Sequence, residues 1–119
     1  TVQEDKPRWF ATADINIVPT TRVAALGNTL LESLASGRPT VCSDIPAFRE
    51  TVSPGVDALF ADVDSPEDFA KQTLQIIRDP ALGQKLAAAG RKKIEERYTW
   101  DAIIRRVNDY TNETLRRSL

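Results

Sequence analysis

Three short apolar runs constrain this chain most: residues 15–19 (INIVP), 40–43 (TVCS) and 58–61 (ALFA). Each is near-continuous in apolar side chains rather than alternating, which suits a strand covered on both faces. The segments between them carry helical spacing, and parallel strands need such crossovers. The pattern therefore predicts an α/β chain with a parallel, doubly wound sheet of about three strands and flanking helices. Three strands leave an unpaired parallel edge, which is a liability. The remaining strands are expected upstream of this segment or from a partner copy.

The helices follow from their start and stop signals. Asp5 and Pro7 start a short helix through Trp9, Phe10 and Ala13. A helix over 29–36 buries Leu30, Leu31, Leu34 and Ala35, and Gly37 takes the left-handed cap. Residues 45–52 form a short helix with Pro46 in its first turn, and Ser53-Pro54-Gly55 is a turn. Ser65-Pro66 opens a helix with Phe69, Thr73, Ile76 and Ile77 on one face. Asp79-Pro80 opens the next, with Leu82, Leu86, Ala89 and Ile94 inward, and Thr99 or Asp101 caps the last. No internal repeat or low-complexity linker interrupts the chain, and residues 1–119 read as a single, partial domain.

Composition removes several functions. There is no histidine, so a Ser-His-Asp triad and histidine metal ligands are excluded within this segment. The net charge of −1 gives no pull toward nucleic acid. The single cysteine, Cys42, forms no internal disulfide, which fits a reducing, cytoplasmic setting. No apolar run approaches the ~20 residues of a membrane span. The opening TVQEDKPRWF reads as the middle of a longer pattern.

The chemistry concentrates in ALGNTLLESLASGRPTV, residues 25–41. In an open parallel sheet, ligands bind beyond the carboxyl ends of the strands, where helices begin. The first amides of the helix after Asn28 lack internal partners and carry about half a positive charge. A diphosphate fits there without a metal. Gly27 removes the Cβ that would block close approach. Glu32, one turn further in, suits a ribose diol. The competing reading makes Gly27 a simple turn and Glu32 a solvated glutamate.

With ADINIVPTT, ALGNTLLESLASGRPTVCSDIPAFRETV and GVDALFADVDSPEDFAKQTLQIIRD together, the chain resembles the C-terminal domain of GT-B glycosyltransferases of family 4, from about Pro7 to Tyr98. The resemblance implies a partial Rossmann-like sheet forming the donor-binding half of a retaining enzyme. That enzyme would move a sugar from a nucleotide-sugar to a glycan or lipid acceptor, with an N-terminal acceptor-binding domain outside this segment. It implies no cofactor and no metal, the nucleotide-sugar being substrate. The family's ribose-holding glutamate falls on Glu32, its G-F-G backbone on Ala25, Leu26 and Gly27, and its phosphate-facing amides on Asn28 and Thr29. The family's first motif glutamate falls on Ala24, and that glutamate commonly contacts the transferred sugar. The alternative is therefore a catalytically impaired nucleotide-binding or interaction module. The family's Arg and Lys that neutralise the leaving diphosphate come from before Thr1. Arg22 and Arg38, near the loop, read as surface arginines.

Other features have plainer expectations. Asp44 reads as a helix cap, Asp62 and Asp64 as turn formers, and RKKIEER (91–97) as a solvated helix face. Trp100 reads as a packing anchor. Arg105, Arg106, Arg116 and Arg117 suit a solvated face or a peripheral membrane contact. The stripe Ile103, Ile104, Val107 and Leu115, on a helix over about 100–116, docks on the absent domain or drives self-association into a homo-oligomer.

Overall fold

The computed structural model describes residues 2–21 and 28–118, with Val2, Gln3 and Asn28 described by backbone alone. The described elements run α1 (Val2–Thr12), β1 (Asn16–Val18), α2 (Asn28–Ala35), β2 (Thr40–Ser43), α3 (Pro46–Thr51), β3 (Leu59–Ala61), α4 (Pro66–Arg78), α5 (Pro80–Arg97) and α6 (Trp100–Ser118). The three strands pair in chain order and in parallel. Ile17 stands opposite Val41, and Cys42 opposite Phe60. The fold class is the expected one.

Because successive strand side chains point to opposite faces, Val41 and Cys42 feed two separate cores. On one face, Val18 and Cys42 pack with Leu30 and Leu34 of α2, and with Phe48 and Val52. On the other, Val41, Leu59 and Ala61 pack with Ile76 of α4 and Leu86 of α5. Burying one leucine of this kind stabilises by about 1.5–3 kcal/mol, so Leu30 and Leu34, each 1% exposed, fix which way α2 faces. Leu31 and Ala35 are only half-buried. Hydroxyls fasten the same helix: Ser33 Oγ lies 2.6 Å from Thr40 Oγ1, and Asn16 Nδ2 donates to Ser36 Oγ at 3.1 Å.

The end signals mostly act as read. Gly37 has φ +75° and ends α2. Ser65 Oγ accepts from the Asp68 amide, and Asp79 Oδ1 from the Leu82 amide, each at 3.2 Å. Thr99 Oγ1, not Asp101, accepts from the Ala102 amide. Along α5 the inward line is Gly83, Leu86 and Gly90. Ala89 and Ile94 are half-buried, and α5 comes closest to its neighbours at Gly83 and Gly90.

Other expectations are corrected. α1 begins at Val2, so Pro7 sits inside it and removes one ladder hydrogen bond rather than opening the first turn. Ile77 is 60% exposed, because only Ile76 of that pair turns under the sheet. Asp44 caps nothing: the α3 N-cap is Ile45, without a side-chain cap bond, and Asp44 pairs with Arg49. Residues 91–97 are more than a solvated face. Arg91 donates to the Ala35 carbonyl at 2.7 Å, closing the end of α2, and Lys93 pairs with the buried Asp57. Trp100, at 79% exposure, anchors nothing among the described residues. It continues along α6 into Ile104, Val107 and Leu115, all more than half exposed, because among the described residues α6 is buried near its start, at Ala102. Ile103 stands apart from that stripe, half-buried.

Candidate functional site

All three strands end on the same edge, at Val18, Ser43 and Ala61. α2 starts on that side and runs back along the sheet. Its backbone places Asn28 and Thr29 in the first turn, where amides lack partners within a helix. Thr29 is exposed. The expected positions Ala25, Leu26 and Gly27, together with Ala24 and Arg22, lie outside the described residues.

Glu32 is one turn in from Thr29. Its neighbours Leu30 and Leu34 face the core, which turns Glu32 outward toward α1. There Lys6 brings Nζ to 2.8 Å from Glu32 Oε2, with the two side chains 34% and 41% exposed. Oε2 itself is closed from solvent and makes no hydrogen bond of good geometry among the described residues, so Lys6 meets it as an ion pair. Lys6, Pro7, Phe10, Glu32, Ala35 and Ser36 line a cleft of about 330 Å³ between α1 and α2. Its mix of an aromatic ring, an aliphatic wall and two opposite charges can hold a polar ligand with one flat face. Arg38, an exposed arginine as read, donates Nε to the Ala11 carbonyl at 2.9 Å and ties the end of α1 beside this cleft.

A larger groove, about 790 Å³, lies on the other face of the sheet between Ile17, Phe69, Leu74 and Ile77. Its lining is mostly apolar and shares no residue with the Glu32 cleft. Size alone would favour it, but it brings no paired charges together, so the chemistry is better placed at Glu32.

The other strand ends carry structural work. Arg49 donates to both Asp44 oxygens, and that hydrogen bonding holds the Asp44 carboxyl below the usual carboxylate range. Its guanidinium also lies over the Phe60 ring, 5.3 Å from the centroid. Asp62 and Asp64 form the turn into α4, Asp64 at φ 60°. Burial pushes the Cys42 thiol up to about 12, with Asp44 and Asp57 adding to the effect. Such a thiol is inert packing rather than a nucleophile.

Sequence reasoning missed Lys6. It sits 26 positions from Glu32, and only the packing of α1 on α2 brings them together. Asp57, 1% exposed with its amide-bound carboxylate, was equally silent in sequence.

This architecture occurs in solved proteins. HepE of Anabaena, crystallised with UDP, superposes with a TM-score of 0.84 at 18% identity, over 92% of this chain and 30% of that one. The C-terminal domain of LpcC, a glycosyl transferase group 1 family protein of Francisella tularensis, superposes at 0.74 with 21% identity, over 81% of this chain and 49% of that one. The fold is thus that of the C-terminal domain of a GT-B glycosyltransferase. The sequence model of the family described as Glycosyl transferases group 1 matches residues 1–79, and the chain belongs to that family. A curated relative, the D-inositol 3-phosphate glycosyltransferase of Thermobispora bispora, is 29% identical over 117 residues, 97% of this chain and 26% of that protein. The chain thus spans about a quarter of that relative's length. Among the described residues, no helix is long and apolar enough to cross a membrane.

Proposed function

We propose that this chain is the donor-nucleotide half of a retaining glycosyltransferase, acting with an N-terminal acceptor-binding domain of the same protein. Glu32 accepts hydrogen bonds from the ribose diol of a nucleotide-sugar. The amides at the start of α2, at Asn28 and Thr29, receive the diphosphate without a metal. By the family resemblance, the donor-sugar contacts are assigned to Ala25, Leu26 and Gly27. The observation that carries this reading is the placement of Glu32: outward, in a cleft, one turn behind the positive end of a helix at the carboxyl edge of a parallel sheet. The UDP held by HepE, a protein of this fold, supports a nucleoside diphosphate as ligand.

Transfer breaks the bond between the sugar and the diphosphate, and negative charge grows on the leaving group. Fixed donors aimed at such charge are usually the largest catalytic term, about 3–4 kcal/mol for one donor. α2 offers amides for this purpose, and the family's cationic pair would come from the remainder of the protein. Ala24, standing where the family's first motif glutamate falls, favours a second reading: a module that binds the nucleotide but transfers poorly.

Calorimetric titration of the full-length protein with UDP, GDP and ADP tests binding. Glu32→Ala weakens the bound nucleotide by about tenfold or more, the worth of hydrogen bonds to a charged group. Unchanged affinity would move the site elsewhere. Turnover of the matching nucleotide-sugar separates transferase from binding module, and the anomeric configuration of the product tests retention.

A further inference from the structure

Glu32 does not face its cleft alone. Lys6 Nζ lies 2.8 Å from Oε2, an oxygen already closed from solvent. The carboxylate oxygen left to a ligand is Oε1. Lys6 is itself half-buried in the cleft wall, beside Pro7 and Phe10.

We propose that Lys6 is a positioning and specificity residue for the ribose of the donor, a proposal that rests on the donor-nucleotide reading above. The chemistry is that of a hydroxyl group, which is donor and acceptor at once. A carboxylate alone satisfies only the donor side. A carboxylate and an ammonium side by side satisfy both: Oε1 takes the hydroxyl proton while a remaining N–H of Lys6 donates to the hydroxyl oxygen. By holding Oε2, Lys6 also fixes the direction in which Oε1 points. A third effect is electrostatic. Glu32 stands about one turn from the helix end assigned to the diphosphate, and two anions on one short helix repel. The ammonium of Lys6 offsets the nearer charge. A 2′-deoxyribose leaves this pair without its hydroxyl, and a site built to hydrogen-bond a hydroxyl rejects the analogue that lacks it.

The test is calorimetric titration of the full-length protein with UDP and GDP and with their 2′-deoxy counterparts, for wild type, Lys6→Met, Lys6→Arg and Glu32→Ala. Wild type favours the ribonucleotide by about tenfold, the cleft being open enough for water to repair part of the loss. Lys6→Met keeps the aliphatic stem against Phe10 and Pro7 yet weakens the ribonucleotide by about fivefold to tenfold. It brings the two nucleotides within about twofold of each other. Lys6→Arg restores part of the preference, which a merely structural role for the stem would not do. Glu32→Ala abolishes the preference. If Lys6→Met leaves the ribo-to-deoxy ratio intact while Glu32→Ala removes it, the Lys6 proposal falls and the donor reading stands. Tighter ribonucleotide binding by Lys6→Met would make the ammonium a competitor of ribose and would equally overturn the proposal. If neither nucleotide binds wild type, both fall together.

Discussion

Two neighbouring lysines on α5 should differ sharply in what they contribute to stability. Lys93 pairs with Asp57, whose side chain is 1% exposed, while Lys93 is 20% exposed. Asp57 Oδ1 also accepts from the Ser53 amide at 2.7 Å, so the carboxylate is built into the turn before β3. Lys93→Met removes the cation and leaves that buried charge with one amide. Breaking a buried pair from one side costs about 3–5 kcal/mol. Lys93 stands near the surface and water can follow it out, so the expected loss is about 2–3 kcal/mol. Lys92 pairs with Glu96 at 3.9 Å, both well exposed at 74% and 60%. Lys92→Met should change stability by no more than about 0.5 kcal/mol. The double replacement Asp57→Asn with Lys93→Met removes both charges and keeps an acceptor for Ser53, so it should recover most of the loss. Urea unfolding followed by far-ultraviolet circular dichroism reads all four proteins, with a common m-value as the check on comparable transitions. If the stability of Lys93→Met falls within about 0.5 kcal/mol of that of Lys92→Met, the pair is worth no more than an exposed one, and the buried-pair reasoning is refuted.

Two further outcomes follow from the packing. Cys42 keeps its proton in the folded chain to about pH 12, well above the ordinary thiol value of 9.0. Stability should therefore be unaffected by this group below the ordinary thiol value of 9.0 and decline as pH rises from there toward 12; a thiol reagent at pH 8 should label Cys42 only on unfolding, and rapid native labelling would contradict its burial. At Gly90, an added Cβ would lie 2.9 Å from Leu34 Cδ2 and 3.3 Å from the Asp57 carbonyl. Gly90→Ala gains about 1 kcal/mol of helix propensity but overpacks a full core at about 1–3 kcal/mol, so thermal unfolding should show a net loss that grows for Gly90→Val.

The strands were legible because an apolar run of three or four residues has few other uses, and the order of strand and helix then left one sheet type. Gly37, Ser65 and Asp79 announced helix ends through local backbone chemistry, which needs no tertiary context. What stayed hidden depends on contacts between distant positions. RKKIEER looks like surface until α5 is laid across the ends of α2 and β3, when Arg91 and Lys93 find Ala35 and Asp57. Trp100 looks like core because it is large and apolar, but on α6 the burial falls on Ala102 and leaves Trp100 exposed. At the candidate site, Glu32 stood out by its place in the motif. Lys6 did not, since an isolated lysine before a proline carries no signal of its partner.

α2 is only eight residues long, and it turns two leucines inward and one glutamate outward. No slack separates the two sides of so short a rod. A nucleotide held on the outer side, as proposed, would add about 2.7 kcal/mol to the stability of the fold at a hundredfold excess over its dissociation constant. Conversely, trimming Leu30 or Leu34 would blunt recognition without touching a single group that meets the ligand.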